Sequence, residues 1–125
     1  MTVRVVRLGS PRHPREAMRI GTVRRPPRGV PKERFASDDW YDVWYPELSP
    51  SPKLVSMARS AETWEAFVRA FRAEMNQPAA SRTLDLLAAL SHSADFSVGC
   101  YCEDEARCHR SVLKALLAGR GAAIA

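Results

Sequence analysis

The sequence predicts one small α/β domain: a mainly parallel sheet of about three to four strands, flanked by helices, with an irregular Pro/Arg-rich segment. Three observations predict it. A chain of 125 residues with 46% hydrophobic content has material for one core and not for two. Eight of its nine prolines lie in the first 52 residues, whereas the second half is rich in Ala and Leu and holds only Pro78. The second half also alternates helical and strand periodicity, which argues for helices layered on a sheet. The domain is taken to span residues 1–125.

In chain order, Val3, Val5 and Leu8 with intervening Arg4 and Arg7 read as a short strand, ended by Gly9-Ser10-Pro11. Arg12 to Arg15 reads as a loop and Met18 to Val23 as a second strand. Pro26 and Pro27 then remove two backbone donors and stop any ladder. Residues 38 to 46 leave room for a further strand. The aromatics Trp40, Tyr41, Trp44 and Tyr45 fit interior packing better than base stacking, although their rings suit both. Trp64, Phe67, Val68, Phe71 and Met75 recur at steps of three and four, the core stripe of a helix beginning near Ser60.

A second helix takes Ser81 as its N-cap and buries either Leu84, Leu87 and Leu90 or Leu86 and Leu90, ending before Ser91. Phe96, Val98, Cys100 and Cys102 alternate with Ser97, Gly99 and Tyr101, the two-residue period of a mostly buried strand. A last helix begins around Glu105 or Ala106 and carries Val112, Leu113, Leu116 and Leu117, with Gly119 and Gly121 as its C-terminal punctuation.

No stretch approaches the roughly 18 apolar residues of a membrane helix, and the N-terminus lacks a secretory signal. Three cysteines exclude a complete disulfide framework and favour a reducing, cytoplasmic setting. The net charge of +5 is unevenly spread: residues 1 to 34 hold ten Arg/Lys against Glu16 and Glu33, which is +8, and the remainder is −3. Such a basic segment is the footprint of a phosphate-bearing partner, small molecule or nucleic acid; a solvated, arginine-rich edge explains it equally well.

The stretch from Cys100 to Arg110 carries the chemistry, running from the carboxyl end of a strand across a loop into a helix, where open α/β sheets bind ligands. A helix start stabilises anions and eases thiol ionisation. Cys108 is therefore the candidate nucleophile, His109 the candidate acid or base, and Arg107 and Arg110 the candidate anion contacts. The alternative is structural: Cys108 and Val112, like His109 and Leu113, are four apart and suit a core face, and Glu103, Asp104 and Glu105 suit the start of a helix. A Cys₃His zinc set is disfavoured by spacing, since Cys100 and Cys102 are separated by one residue and Cys108 and His109 are adjacent. No phosphatase-like Cys-x₅-Arg loop, dinucleotide fingerprint or Walker pattern occurs. The expectation is no metal and no cofactor.

Four segments in order resemble the domain of unknown function 488 family, which includes the YeaO-like proteins. They are Arg24 to Glu33 (RRPPRGVPKE), Trp44 to Ser51 (WYPELSPS), the helix from Trp64 to Glu74, and Cys100-Tyr101-Cys102-Glu103 with Cys108-His109-Arg110. Val23 and Pro26 depart from the family pattern, which has an acid and a tryptophan there. The resemblance implies the fold and candidate positions and implies no reaction. It brings Arg24, Arg28 and Lys32 into the candidate site, with Glu103 and Arg107, beside Cys108, His109 and Arg110 at the sheet's carboxyl edge. Three functions follow: an anion-binding protein acting as a Cys-His-Arg enzyme on a phosphate- or carboxylate-bearing small molecule; a nucleic-acid module using residues 1–34 with aromatic stacking; and a non-catalytic interaction protein.

Overall fold

The computed structural model describes residues 1–57, 63–104 and 107–125. Strands β1 (Val3–Arg7), β2 (Arg19–Gly21), β3 (Val43–Trp44) and β4 (Phe96–Cys100) form one parallel sheet in the order β1-β4-β2-β3. The helices are α1 (Pro52–Met57), α2 (Trp64–Met75), α3 (Pro78–Leu90) and α4 (His109–Gly119). This is the α/β arrangement expected, with β3 inside the segment that had room for it.

β4 comes last among the strands in sequence and lies between β1 and β2, with Arg7 opposite Cys100 and Gly21 opposite Gly99. All five of its residues are buried, which is why it carries no charge. Since every strand points the same way, the segments after β1, β2 and β4 leave from one edge. Gly99 permits the close approach of β1: a Cβ there would lie 2.6 Å from the Val6 carbonyl oxygen.

The helices cover one face, where Phe67, Phe71 and Met75 of α2, Leu84 and Leu87 of α3, and Leu113 and Leu117 of α4 pack with Ile20, Phe96 and Val98. The alternate residues Arg19 and Ser97 meet a polar network instead. Arg19 is fully buried and donates from Nε and Nη2 to Glu16 at 2.9 and 3.0 Å, and from Nη1 to the carbonyls of Ser10 and Asp39 at 2.8 and 2.7 Å. Glu16 also accepts from the Ser97 hydroxyl at 2.6 Å and the His13 amide at 2.7 Å. Its carboxyl is held at about 2, because these hydrogen bonds and the Arg19 charge outweigh the opposing effect of burial. One ion pair thereby orders the irregular loops of the first half. A smaller apolar cluster, separate from the main core, joins Leu8, Val23, Tyr41, Cys100 and Cys108, with Phe35, Trp40 and Tyr101 packed against it.

Several boundaries differ from expectation. α3 begins at Pro78 after Gln77, not at Ser81, because proline at the first helical position has no amide to lose and a φ already suited to the helix. Ser81 lies inside the first turns and accepts from Arg120 at 3.1 Å. The face bearing Leu84 and Leu87 is the buried one, and Leu86 and Leu90 are exposed. Pro52 likewise starts α1, a helix hidden from the sequence reading by the Pro-Ser run. Ser60, Glu105 and Ala106, the expected helix starts, lie outside the described residues; the described helices begin at Trp64 and His109. β4 ends at Cys100, so Cys102 lies beyond it. Among the described residues, no helix is long and apolar enough to cross a membrane.

Candidate functional site

At the carboxyl edge of the sheet, β4 ends at Cys100, and the chain returns to the edge at Cys108, the extended N-cap residue of α4 (φ −126°, ψ 148°). Both residues are buried and their Sγ atoms stand at disulfide contact, although their Cα atoms are 7.7 Å apart. Cys102 reaches solvent from the intervening loop, and the three Sγ atoms lie within 4.8 Å of one another. Partial enclosure raises the Cys102 thiol above its ordinary value, and the charges of Arg110 and Arg7 act against that rise.

His109 ties α4 to the end of β2. Its Nε2 donates to the Thr22 carbonyl at 2.6 Å, which fixes the tautomer and leaves Nδ1 as acceptor, 3.8 Å from the Cys108 Sγ. Thr22 is itself held by its amide and its hydroxyl, both donating to the Gly99 carbonyl at 2.9 Å. Burial pushes His109 down to about 4, the Arg110 charge adding to the shift and the Thr22 bond opposing it. The imidazole is therefore neutral near pH 7, its ring edge-on to Phe71 at 5.6 Å.

Arg110, in the first turn of α4, is 4% exposed, and its Nε and Nη1 have no hydrogen-bond partner among the described residues. A buried guanidinium is normally saturated, as Arg19 is. Arg110 combines full charge, enclosure and free donors at a helix N-terminus, where the backbone dipole also favours an anion.

The remaining expected site residues are distributed differently. Cys108, His109 and Arg110 stand together with Thr22, which the sequence did not single out. Arg24 follows two residues after Thr22, but its Nε and Nη2 donate to the carbonyls of Pro50 and Ser49 at 3.2 and 3.3 Å. Arg28 and Lys32 are exposed, Lys32 in a single 3₁₀ turn (Lys32–Arg34). Glu103 is exposed and accepts from Arg7 at 3.4 Å. Arg107 lies over the Trp64 ring, 5.9 Å from its centre. The basic segment does reach the junction through its backbone, since the Tyr101 hydroxyl donates to the Arg25 carbonyl at 2.8 Å. Tyr101 also packs edge-on against Trp40. Tyr41 is buried, and Trp44, partly exposed, donates its indole N–H to the Val23 carbonyl at 2.8 Å. A separate concavity of about 420 Å³ is lined by Arg4, Arg12, His13, Glu16 and Lys114 among others, and no residue of the junction contributes to it.

From sequence, Tyr101 was legible only as part of a strand, and Cys102 as part of that strand and of a zinc set that its spacing disfavoured. Comparison with curated proteins and with solved structures finds no match. A family model described as the active DUF488-N3 subclade matches residues 3–121. The chain thus belongs to the domain of unknown function 488 family, the YeaO-like family, and the match runs through the whole sheet and the Cys100–Arg110 junction.

Proposed function

We propose that the protein binds a phosphate- or carboxylate-bearing small molecule at the carboxyl edge of its sheet, with Arg110 as the charged anchor. The observation that carries this reading is the enclosed Arg110 guanidinium with its free Nε and Nη1. Leaving a charge buried and unpaired costs several kcal/mol, a penalty that an incoming anion removes by supplying both charge and acceptors. The basic balance of the first 34 residues draws anions toward the protein, and the exposed Arg28 and Lys32 sit on the segment that Tyr101 tethers to the junction. The three clustered thiols suit a reducing compartment such as the cytoplasm.

The thiols and His109 give the bound anion chemical neighbours. Neutral His109 presents Nδ1 as an acceptor toward the Cys108 sulfur and has no proton to give there, and the burial that keeps it neutral also makes it a weak base, so its role is to orient that sulfur and neither the acid nor the base role suits it. Cys108 itself is enclosed, and Cys102 is the thiol that a solute reaches first. The description of the matching family model as active accords with an enzyme built on this site.

The test is ligand-dependent stability. Urea midpoints of the wild type and of Arg110→Met are compared with and without inorganic phosphate, acetate and a short single-stranded oligonucleotide, at constant ionic strength. Phosphate or acetate should raise the wild-type midpoint and leave that of Arg110→Met unmoved. Equal responses in the two proteins overturn the assignment of Arg110. A response to the oligonucleotide alone, lost steeply with salt, would favour the nucleic-acid reading of the basic segment instead.

A further inference from the structure

We propose that Cys100, Cys102 and Cys108 together hold one zinc ion at the junction. The spacing along the chain speaks against a zinc knuckle; the arrangement in space speaks for a three-sulfur set, because the strand end, the loop and the helix start bring all three Sγ atoms within 4.8 Å of one another. Zinc bound to thiolates at about 2.3 Å in tetrahedral geometry places its sulfurs roughly 3.8 Å apart, so the three side chains are near enough to share an ion once the touching Cys100 and Cys108 sulfurs rotate apart.

The backbone favours two ligands of a shared ion over a cystine. The Cα atoms of Cys100 and Cys108 stand 7.7 Å apart. A disulfide usually spans about 4.4–6.8 Å, and a separation beyond about 7 Å closes only if the backbone moves. Here it has little freedom to move. Cys100 is pinned in β4 opposite Arg7, and Cys108 is followed at once by His109, which is bonded to Thr22. A Cys100–Cys108 bond would also leave Cys102 as an odd thiol beside it, whereas a metal uses all three.

The surroundings match those of a thiolate-bound metal. Two sulfurs are buried and the third reaches solvent, so the set is closed on the protein side and leaves a position open, as in zinc sites with three protein ligands and an exchangeable fourth. Three thiolates on a divalent ion carry a net charge of −1, and the enclosed Arg110 supplies an adjacent positive charge with free N–H donors. His109 adds a nitrogen donor beside the set. Its Nδ1 is 3.8 Å from the Cys108 Sγ, and its other nitrogen donates to a backbone carbonyl, the arrangement that orients histidine beside metals.

The experiment uses the untagged full chain, purified with reductant and without chelator. Elemental analysis and native mass spectrometry should find one zinc per chain. Cobalt(II) substituted for it should show thiolate-to-metal charge-transfer absorption, and Cys100 and Cys108 should resist alkylation until a chelator is added. Cys102→Ser, which alters an exposed side chain and leaves the core intact, should weaken zinc binding by more than about tenfold, since even an outer-shell change costs about that much. A metal-free chain that binds neither added zinc nor cobalt overturns the proposal, as does a metal-free mass two hydrogens short, the mark of a disulfide. Undiminished zinc affinity in Cys102→Ser overturns the three-sulfur set. These readouts are independent of the phosphate response that tests Arg110, so either reading can fail alone.

Discussion

Glu16→Gln removes the counter-charge from a guanidinium that has no water to turn to. In the native protein the carboxylate takes Arg19 Nε and Nη2, the Ser97 hydroxyl and the His13 amide. A carboxamide presents an N–H where one of these donors already points, and Arg19 keeps its charge. Two routes give the size of the loss. The carboxyl is held at about 2 against an ordinary 4.5, and at about 1.4 kcal/mol per pH unit of displacement this amounts to roughly 3 kcal/mol. Breaking a buried ion pair by removing one partner costs about 3–5 kcal/mol, in agreement.

Set against about 5–15 kcal/mol for a whole domain, the loss is large: about 12 °C in melting temperature for a chain of this length. The pH dependence has a definite sign. Because the folded value is depressed, the carboxylate's contribution is complete above about pH 4.5 and drains away as pH falls toward about 2. Urea unfolding of wild type and variant between pH 2.5 and 7 should show a gap of roughly 3 kcal/mol at neutrality that narrows in acid. If the variant proves too unstable to fold, the wild type's own loss of stability over that range carries the test. A gap below about 1 kcal/mol at pH 7, or one of equal size at both ends, refutes the reasoning.

Other perturbations probe separate parts of the molecule. Gly21→Ala would place a Cβ 2.4 Å from Tyr41 Cδ2, so it should destabilise by about 1–3 kcal/mol in chemical denaturation, and this added cost should vanish in a Tyr41→Ala background that is itself less stable than the wild type. Tyr101→Phe removes the bond to the Arg25 carbonyl; a loss of about 1 kcal/mol confined to this tether should speed trypsin cleavage after Arg24 or Arg28 about fivefold while leaving the global melt nearly unchanged. Without added anion, Arg110→Met should be as stable as the wild type or more so by about 1 kcal/mol, because it removes an unsatisfied buried charge; a loss above about 2 kcal/mol in thermal melts would show that Arg110 is structural.

Much of this architecture was legible because it is written in local periodicity. The alternation through Phe96, Val98 and Cys100, and the stripe of Phe67, Phe71 and Met75, mark β4 and α2 in both kind and place. Proline was harder to read: at Pro52 and Pro78 it opens helices, although its density in the first half signals irregularity. The junction could be located from a strand running into a helix, and Cys108, His109 and Arg110 do meet there. What one-dimensional spacing does not carry is the return of a loop upon itself. Linear spacing therefore disfavoured Cys102 as a ligand and left it a strand residue, and Thr22, a partner of His109 from 87 residues earlier, carried no signal at all. Arg24 matched a family position, yet its donors serve the carbonyls of Ser49 and Pro50, a pairing that only the folded chain sets.

The separation of the small cluster of Leu8, Val23, Tyr41, Cys100 and Cys108 from the main core divides labour within the molecule. The helices and central strands hold their fold with side chains that do not line the junction, so the rim can change its residues without refolding the frame beneath it. The division also locates breathing: the rim can loosen while the sheet stays closed, and the amides of Thr22 and Tyr101 should exchange with solvent deuterium well before those of Val98.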